Sequence, residues 1–362
     1  MIKRILLKQF PLFAIDLGAK ITRPEAARKP LISACEKPSI LFLFLLISGV
    51  TPLCAETSDA LNLLEKMTIA EKTLNYEGTV VYQHGSTTET MQIVHSFDQY
   101  GERERLSSTD GAPREMVRDD RHVFFVLPTN RFVLVESRKG DNGSPQSDSG
   151  HTAFYEISLM GTERIADYSC QSLGIVPKDK YRYGYRLCIE DETGLLLKSQ
   201  TFDGDGLPRE QMIYTHLRLL DSIPTESLQT TMHEEDFTLF QSKDTSEDTS
   251  EVSRSKDLDQ AWKLGNTPPG FSVIRNEMRQ IASSEQPVRY IILDDGIASV
   301  SVFIERLDNK ATQRPSGVTR SGALSTFSTV MDSHMVTVIG EVPGPTVEMI
   351  AQSLHYQPVE NR

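Results

Sequence analysis

A strict alternation of apolar and polar residues runs along residues 181–190 and constrains this chain more than any other stretch. A period of two is the pattern of a β-strand with one apolar and one polar face. A Glu-Asp-Glu-Thr-Gly turn follows at residues 190–194 and an apolar run resumes at residue 195, so the segment predicts a β-hairpin. The apolar face carries Tyr181, Tyr183 and Tyr185, and it must be covered by another layer or filled by a ligand. The polar positions are Arg182, Gly184, Arg186, Cys188 and Glu190.

The first 55 residues do not belong to the fold that this hairpin predicts. Residues 40–50 form an apolar run, basic residues precede it, and Ala55 follows it at a position that suits cleavage. The run is too short to span a bilayer comfortably, so we interpret residues 1–55 as the signal peptide region of an exported protein. A membrane anchor is the alternative interpretation.

The remaining chain is strongly acidic. The whole sequence has 38 Lys and Arg residues against 50 Asp and Glu residues, and residues 1–55 hold eight of the basic and three of the acidic ones. Without them the chain has 30 basic and 47 acidic residues, a net charge of −17. Such a surface repels the phosphates of nucleic acids and anionic membrane faces, which excludes DNA or RNA binding.

Residues 241–258 divide the exported chain into two predicted domains. This stretch consists of Ser, Thr and charged residues with almost no apolar side chain, so it is predicted to be a flexible linker. Residues 56–240 predict one helix followed by many short strands, which form a large β domain. Residues 259–362 predict a small C-terminal domain with a hairpin at residues 289–305 and a helix that begins near Pro345.

Two cysteines, Cys170 and Cys188, remain after residue 55. Export to an oxidising compartment permits a disulfide between them. If residues 166–177 and 181–190 form a hairpin whose midpoint is Asp179, the two cysteines face each other directly at a spacing that a disulfide can bridge. We therefore expect a disulfide between Cys170 and Cys188, and two free thiols are the alternative.

The sequence contains no motif that is typical of an enzyme. The His-Glu-Glu-Asp stretch at residues 233–236 lacks the second His of a zinc-binding HExxH helix. The Asp-Gly-Asp-Gly stretch at residues 203–206 lacks the distal Glu of a calcium loop. Neither a GxSxG nucleophile elbow nor a phosphate-binding P-loop occurs. We therefore expect a non-enzymatic binding protein that needs no cofactor.

Several stretches of the chain, taken in order, carry a family resemblance. They are NYEGTVVY at residues 75–82, RYGYRL at 182–187, GLLLKS at 194–199, DGIASVSVF at 295–303 and VTVIGEVP at 336–343. Together they resemble the MucB/RseB family of periplasmic regulators of the envelope-stress sigma factor. The resemblance covers nearly all of the chain that follows the signal peptide region.

The resemblance implies a mainly β (α+β) protein. Its large domain is expected to be a lipoprotein-carrier-like half-open β-barrel with covering helices, and its small C-terminal domain is expected to be β-rich with a helix. It also implies a periplasmic protein that binds the periplasmic part of a membrane-spanning anti-sigma factor and protects it from regulated proteolysis.

The resemblance further implies how this protection ends, namely when lipid, lipopolysaccharide or a mislocalised lipoprotein binds the large domain. A homodimer is compatible with the same resemblance. A periplasmic carrier of lipids or lipoproteins is the alternative function, although a simple carrier does not need a second domain. An envelope scaffold without a ligand is a more remote alternative.

Seven apolar side chains are expected to line the interior of the large domain, where a bent sheet leaves a pocket for acyl chains. They are Tyr76, Tyr82, Met91, Phe124, Phe132, Tyr183 and Tyr185. Ordinary core packing is the alternative, because inward apolar faces are usually core.

Two strands of the small domain, at residues 289–293 and 297–305, are expected to contact the anti-sigma partner. Their apolar positions suit an edge that accepts a peptide by strand addition, or a groove. These positions are Tyr290, Ile292, Val302 and Ile304. The alternative is that they fill the core of the small domain. A flexible linker of this length has a root-mean-square span of about 25 Å, so we expect both domains to contribute to partner binding.

Overall fold

The computed structural model describes residues 53–127, 132–137, 151–231, 238–241, 262–279, 284, 286–307 and 316–357. Residues 1–52 of the predicted signal peptide region (residues 1–55) and residues 242–258 of the predicted linker lie outside these residues, so the predicted domain boundaries stay predictions. The large domain contains helices α1 (Leu53–Thr73) and α2 (His151–Phe154). Its strands are β1 (Asn75–His84), β2 (Thr87–Asp98), β3 (Gly101–Ser108), β4 (Glu115–Arg118), β5 (His122–Leu127), β6 (Phe132–Ser137), β7 (Tyr155–Ile165), β8 (Tyr168–Pro177), β9 (Gly184–Glu190), β10 (Leu196–Phe202), β11 (Pro208–Leu220) and β12 (Thr238–Gln241).

These strands form one sheet in the order β12-β6-β5-β4-β3-β2-β1-β11-β10-β9-β8-β7. Neighbouring strands are antiparallel except for β12 and β6, which are parallel. The outermost strands of the described sheet, β12 and β7, do not pair with each other, so the sheet is open. The mainly β, half-open architecture that the resemblance implies is therefore confirmed.

Helix α1 fills the concave side of this sheet. It contacts both the edge strand β7 and the central strand β2, which requires the sheet to curve around it. Ala60 and Met67 are buried in the same hydrophobic cluster as the inward side chains of the strands, and Leu64 and Leu74 pack against that cluster. Since these positions recur every three or four residues, they lie along one face of the helix. Glu71 lies on the same stripe and is only 3% exposed.

The segment that follows β11 covers the outer face of the sheet. Ile223 and Leu228 pack there against Val94 of β2. The backbone N–H of Thr231 donates a hydrogen bond to the buried carboxylate of Glu115 at 3.0 Å. The chain therefore crosses the outside of the sheet before it reaches β12, and the concave side is left to α1.

The small domain consists of β13 (Trp262–Leu264), β14 (Ser272–Arg279), β15 (Val288–Asp294), β16 (Ser299–Arg306), β17 (Gly317–Ser321), β18 (Leu324–Met331), β19 (His334–Gly340), α3 (Gly344–Gln352) and β20 (Leu354–Tyr356). Six strands form an antiparallel sheet in the order β14-β15-β16-β19-β18-β17, and β13 pairs with β20. Helix α3 packs on β17, β18 and β19, where Val347 and Ile350 share a core with Val338. The expected β-rich domain with a helix is confirmed.

A disulfide joins Cys170 in β8 to Cys188 in β9, and the two Cα atoms are 5.4 Å apart. The predicted pairing is confirmed, but the predicted register is wrong by two residues, because Cys188 faces Ser172 across the two strands. The midpoint of the connection is therefore Lys180 rather than Asp179. The bond bridges a diagonal pair of positions, which is still within the distance that a disulfide spans.

Replacing both Cys170 and Cys188 with serine is expected to lower the free energy of unfolding by about 3 kcal/mol, because the unfolded chain then loses a constraint on its conformational entropy. Urea denaturation of the exported chain with and without the substitutions measures the difference. Thiol titration of the folded, unreduced protein is the control, and two reactive thiols would contradict the disulfide.

Candidate binding site

The inward face of the large sheet and helix α1 enclose an apolar interior, which we call the hollow. Strand pairing places Met91 opposite Val80, and Val80 lies on the same face of β1 as Tyr76 and Tyr82. These residues and Tyr185 of β9 are buried in one hydrophobic cluster. Of the seven predicted lining residues, Tyr76, Tyr82, Met91 and Tyr185 are therefore brought together in the hollow. Their role in ligand binding stays a prediction.

The prediction that Phe124 faces the hollow is wrong. Met116 of β4, which is buried in the hollow, pairs with Phe125 rather than with Phe124. Phe125 is 3% exposed, and alternation along β5 then directs Phe124 to the outer face of the sheet. Phe132 lies in β6, and its side chain lies outside the part of the chain that is described.

Tyr183 lies at the boundary of the hollow rather than deep within it. It precedes β9 and is buried in the same hydrophobic cluster. Burial raises the pKa of its hydroxyl, and the side chain of Arg320 from the small domain is close enough to oppose that increase. The ring is therefore buried, but it faces the second domain, and its predicted role in ligand binding stays a prediction.

A buried polar cluster lies beneath the C-terminal end of α1. Arg118 of β4 makes ion pairs with two carboxylates of β3, Glu104 and Glu102, and its Nη2 atom is 2.7 Å from Glu102. The His95 ring is completely buried, with Nδ1 2.7 Å from the backbone oxygen of Leu74 and Nε2 3.3 Å from Glu102. These contacts connect three strands of the sheet to the end of the helix.

Glu71 of α1 faces this cluster but forms no hydrogen bond within the described residues. Both of its carboxyl oxygens are buried without a partner. Burial raises the pKa of Glu71 to about 8, the carboxylates of Glu104 and Glu102 raise it as well, and Arg118 opposes them. The carboxyl group is therefore mostly protonated at neutral pH, since a buried group avoids the cost of a desolvated charge in this way.

Arg182 lies at the centre of the contact between the two domains. Its side chain is completely buried, and its Nε atom donates a hydrogen bond to the Oδ2 atom of Asp295 in the small domain at 2.6 Å. The same guanidinium also donates to Asp179 and to the backbone oxygen of Pro269. A guanidinium that bonds to carboxylates in both domains fixes the position of one domain against the other.

Aromatic rings surround this guanidinium. The centroid of Phe154 lies 4.6 Å from its Cζ atom, that of Phe271 lies 4.9 Å away, and that of Tyr155 lies 5.6 Å away. Phe271 belongs to the small domain and the other two rings belong to the large one. Such cation–π contacts stabilise a desolvated guanidinium.

Asp295 uses both of its oxygens. Its Oδ2 atom also accepts a hydrogen bond from the Tyr155 hydroxyl at 2.9 Å. Its Oδ1 atom accepts hydrogen bonds from the backbone N–H groups of Ile297 at 2.9 Å and Ala298 at 2.7 Å. The buried ion pair is therefore hydrogen-bonded on its acidic side, and the same bonds shape the turn between β15 and β16.

A second turn of the small domain, between β17 and β18, contacts the end of β1 and the start of β11. The N–H group of Ala323 donates to the Oε1 atom of Glu210 at 2.8 Å. Gly322 has a φ of +59°, and a Cβ atom there would lie 2.8 Å from Glu210 and 2.9 Å from His84. Only glycine suits this conformation and this close approach. At a third point, the Thr346 hydroxyl donates to the backbone oxygen of residue 181 at 3.0 Å.

Sequence reasoning missed this domain interface. The period-two pattern assigns Arg182 to a polar, solvent-exposed face, whereas the side chain is buried. In the sequence, Asp295 is included only in the predicted hairpin at residues 289–305 and in a stretch that carries the family resemblance. No local pattern signals their contact, because the two residues are separated by 113 positions. An Arg between two Tyr residues, immediately before a strand rich in apolar residues, is the signal that was available.

The predicted partner surface of the small domain is divided between two faces of its sheet. Val302 and Ile304 are buried in the core beneath α3, whereas Tyr290 and Ile292 lie on the opposite face. There Tyr290 stacks on Phe303 with ring centroids 4.9 Å apart. The prediction of strand addition at β15 or β16 is wrong, because β14 and β19 flank these two strands in the sheet.

The described part of the chain has neither a membrane-spanning helix nor a metal-binding cluster. None of its helices is long and apolar enough to span a bilayer. Nor does this part contain a group of three or more His, Cys, Asp or Glu side chains arranged to hold a metal ion.

Comparison with known proteins identifies the family. The MucB/RseB N-terminal domain matches residues 59–232, and the MucB/RseB C-terminal domain matches residues 256–355. The sigma factor AlgU regulatory protein MucB of Pseudomonas aeruginosa is 30% identical over 324 residues, which cover 86% of this chain and 96% of that protein. The sigma-E factor regulatory protein RseB of Haemophilus influenzae is 26% identical over 332 residues, which cover 89% of this chain and 98% of that protein.

A solved structure agrees with this assignment. The MucA/MucB complex of Pseudomonas aeruginosa matches with a TM-score of 0.63 and 27% identity, covering 83% of this chain and 100% of the matched chain. The match to the N-terminal domain falls on the large sheet, and the match to the C-terminal domain falls on the small sheet. The chain therefore belongs to the MucB/RseB family.

Proposed function

We propose that this chain is a periplasmic regulatory protein that binds the periplasmic part of a membrane anti-sigma factor. In this function it protects the anti-sigma factor from regulated proteolysis and so restrains the envelope-stress sigma factor. A lipid or lipopolysaccharide whose acyl chains enter the hollow relieves the protection. The protein acts by binding alone.

The main support for this proposal is that a related protein was solved in complex with another protein, MucA. The Pseudomonas aeruginosa protein MucB is similar to this chain in both domains, and its structure is a complex with MucA. The hollow supports the second part of the proposal. Its inward tyrosines and aliphatic side chains form the apolar surface that an acyl chain requires.

The surface for the partner is proposed on the face of the small sheet that α3 leaves uncovered. Tyr290 and Ile292 lie there, so these two keep the role that the sequence predicts for them. Val302 and Ile304 belong to the core and support that face from behind. Ile292 and Phe303 are half-buried and supply the apolar surface, while the mostly buried ring of Tyr290 supports it by stacking on Phe303.

The test measures the affinity of the exported chain for the periplasmic segment of its organism's anti-sigma factor, with and without lipopolysaccharide fragments. We expect tight binding, protection of the segment from the protease that cleaves it, and loss of both when the fragments are added. Binding without protection would contradict the regulatory function. A protein that bound lipid but not the segment would instead be a lipid or lipoprotein carrier, which is the alternative function.

Replacing Tyr185 with aspartate is expected to weaken the binding of an acyl chain to the hollow at least tenfold, because a charge is placed in an apolar site. Fluorescence titration with dansyl-labelled undecanoic acid measures the change, after circular dichroism has shown that the variant is folded. Phe124→Asp is the matched control, since Phe124 lies on the outer face of the sheet. If the two variants bind the probe with equal affinity, Tyr185 is an ordinary core residue and does not line the ligand site.

A further inference from the structure

We propose that the hollow is a site built from both domains: two turns of the small domain close one end of it, and an acyl chain occupies that end only when the turns move away. This inference rests on the proposed function, because it specifies how a lipid in the large domain is coupled to the arrangement of the domains. The two turns are residues 294–298, between β15 and β16, and residues 322–323, between β17 and β18. We call them the closing turns.

The apolar contact of the closing turns with the hollow is the first evidence. Ile297 and Ala323 come from the small domain, yet they belong to the hydrophobic cluster that fills the large one. Ile297 is 9% exposed and Ala323 is completely buried. Both domains therefore contribute side chains to the same apolar interior, and removal of the small domain would expose that end of the hollow to solvent.

The position of the closing turns relative to the predicted ligand residues is the second evidence. Tyr155 belongs to the cluster of the hollow, and its hydroxyl donates to Asp295, two residues before Ile297. Asp295 and Glu210 are also both close enough to Tyr185 to affect its hydroxyl, whose pKa burial raises. The end of the hollow that Tyr185 lines is therefore the end that the small domain closes.

Each closing turn is held in place by a buried carboxylate. Asp295 of the first turn pairs with Arg182 of the large domain, and Glu210 of the large domain accepts the N–H of Ala323 in the second turn. Both carboxylates are buried, and each forms one of its hydrogen bonds across the interface, where losing a partner is costly. If a closing turn moves, its apolar side chain leaves the hollow and its hydrogen bond across the interface is broken at the same time.

Acyl binding and closure therefore compete for the same place. An acyl chain can replace the apolar contacts of Ile297 and Ala323, but it cannot replace the hydrogen bonds to Asp295 and Glu210. The observed affinity for an acyl chain is then the affinity of the open form multiplied by the fraction of molecules in which the turns are open. A change that weakens closure increases this fraction and therefore raises the observed affinity. The bound chain in turn holds the domains in a different arrangement.

Replacing Ala323 with aspartate tests this competition, because it places a second carboxylate beside Glu210 without altering any residue of the large domain. Affinities for dansyl-labelled undecanoic acid are measured on the exported chain by fluorescence titration. We expect the variant to bind the probe at least about tenfold more tightly than the unaltered chain. Val330→Asp is the matched control, since Val330 is 53% exposed and carries the same charge change away from the interface.

A second measurement does not depend on that substitution. In the unaltered chain, a saturating amount of the probe should speed hydrogen exchange in peptides that cover residues 294–298 and 322–325, and leave α3 unaffected. If the Ala323→Asp variant does not fold, the Asp295→Asn variant is used instead. It weakens the ion pair with Arg182 that holds the first closing turn, so it should also bind the probe more tightly than the unaltered chain.

The outcomes separate this inference from the proposed function. Equal probe affinities of the unaltered chain and the variants, or unchanged exchange in the closing turns, would overturn the inference and leave lipid binding intact. Weaker binding by the variants would show that the turns support the ligand and would also overturn it. If neither the unaltered chain nor any variant binds the probe, the lipid part of the proposed function fails together with the inference, whereas anti-sigma binding is judged by its own assay.

Discussion

Replacing Arg182 with methionine is expected to lower the free energy of unfolding by about 3–5 kcal/mol, because it leaves a buried carboxylate without its counter-ion. Asp295 has no exposed side-chain surface, so water does not replace the lost partner. Methionine keeps much of the volume between the three surrounding rings, and the loss is therefore mainly electrostatic. Guanidinium denaturation measures it, followed by circular dichroism and by the fluorescence of Trp262, the single tryptophan of the chain.

Arg218→Met is the matched control for this substitution. Arg218 pairs with Glu77 at 2.8 Å, but its side chain is 59% exposed. A surface ion pair of this kind contributes about 0–1 kcal/mol, so the control should unfold almost like the unaltered chain. The double variant Arg182→Met, Asp295→Asn should recover part of the loss, since it removes the uncompensated charge. Equal effects of Arg182→Met and Arg218→Met would contradict a structural role for the buried pair.

Replacing Glu71 with glutamine is expected to stabilise the chain at alkaline pH, by an amount on the order of 4 kcal/mol. The pKa of Glu71 rises from 4.5 to about 8 in the folded chain because of burial. Below pH 4.5 the carboxyl group is protonated in both states and has no effect. Between pH 4.5 and 8 the unfolded chain releases this proton while the folded chain retains it, so this group makes the folded state less stable as the pH rises. Glutamine does not titrate, so the variant lacks this loss.

Urea denaturation at pH 5, 7 and 9 measures this difference. The advantage of Glu71→Gln should be small at pH 5, should grow through pH 7, and should level off above pH 8. Glu65→Gln is the control, because Glu65 lies on the exposed face of the same helix. An advantage that is the same at all three pH values would contradict the assignment of Glu71 as a buried, protonated acid.

The strand pattern predicts the sheet well where only one face of a strand is apolar, as along residues 76–82. It fails at β5, where Val123 to Val126 form a continuous apolar run with no period of two. Such a run does not indicate which residues point inward. In the structure Phe125 faces the hollow, whereas Val126 is buried on the opposite face, where it pairs with Glu115, whose carboxylate accepts a hydrogen bond from Thr231.

The disulfide illustrates a different limit of sequence reasoning. The pairing of Cys170 with Cys188 follows because they are the two cysteines after residue 55 and lie on adjacent strands of a hairpin, but the register depends on the connection between the strands. The carboxylate of Asp179 accepts the N–H of Tyr181 at 2.9 Å and binds Arg182. These local contacts belong to a connection centred on Lys180 rather than on Asp179, and Arg182 is also held by Asp295 of the second domain, which no local pattern reveals.

The two buried polar sites differ in how far they were predictable. Glu71 occupies a core position of the stripe formed by Ala60, Leu64, Met67 and Leu74, so helical periodicity alone marks it as a carboxyl group in an apolar setting. The contact of Arg182 with Asp295 depends on how two separate sheets meet. No property of the residues near either position specifies that arrangement.

The covalent connection between the domains has a kinetic consequence for their interface. The last described residue of the large domain is Gln241 and the first of the small domain is Trp262, and the chain that joins them would keep the closing turns near the hollow after they had moved away. Two domains joined in one chain meet at an effective concentration that the length of the connection sets, rather than at the concentration of the protein. Reclosure is therefore a unimolecular event whose rate is independent of the amount of protein. A single proteolytic cut within residues 242–261 would make it bimolecular, and the two domains would then separate on dilution.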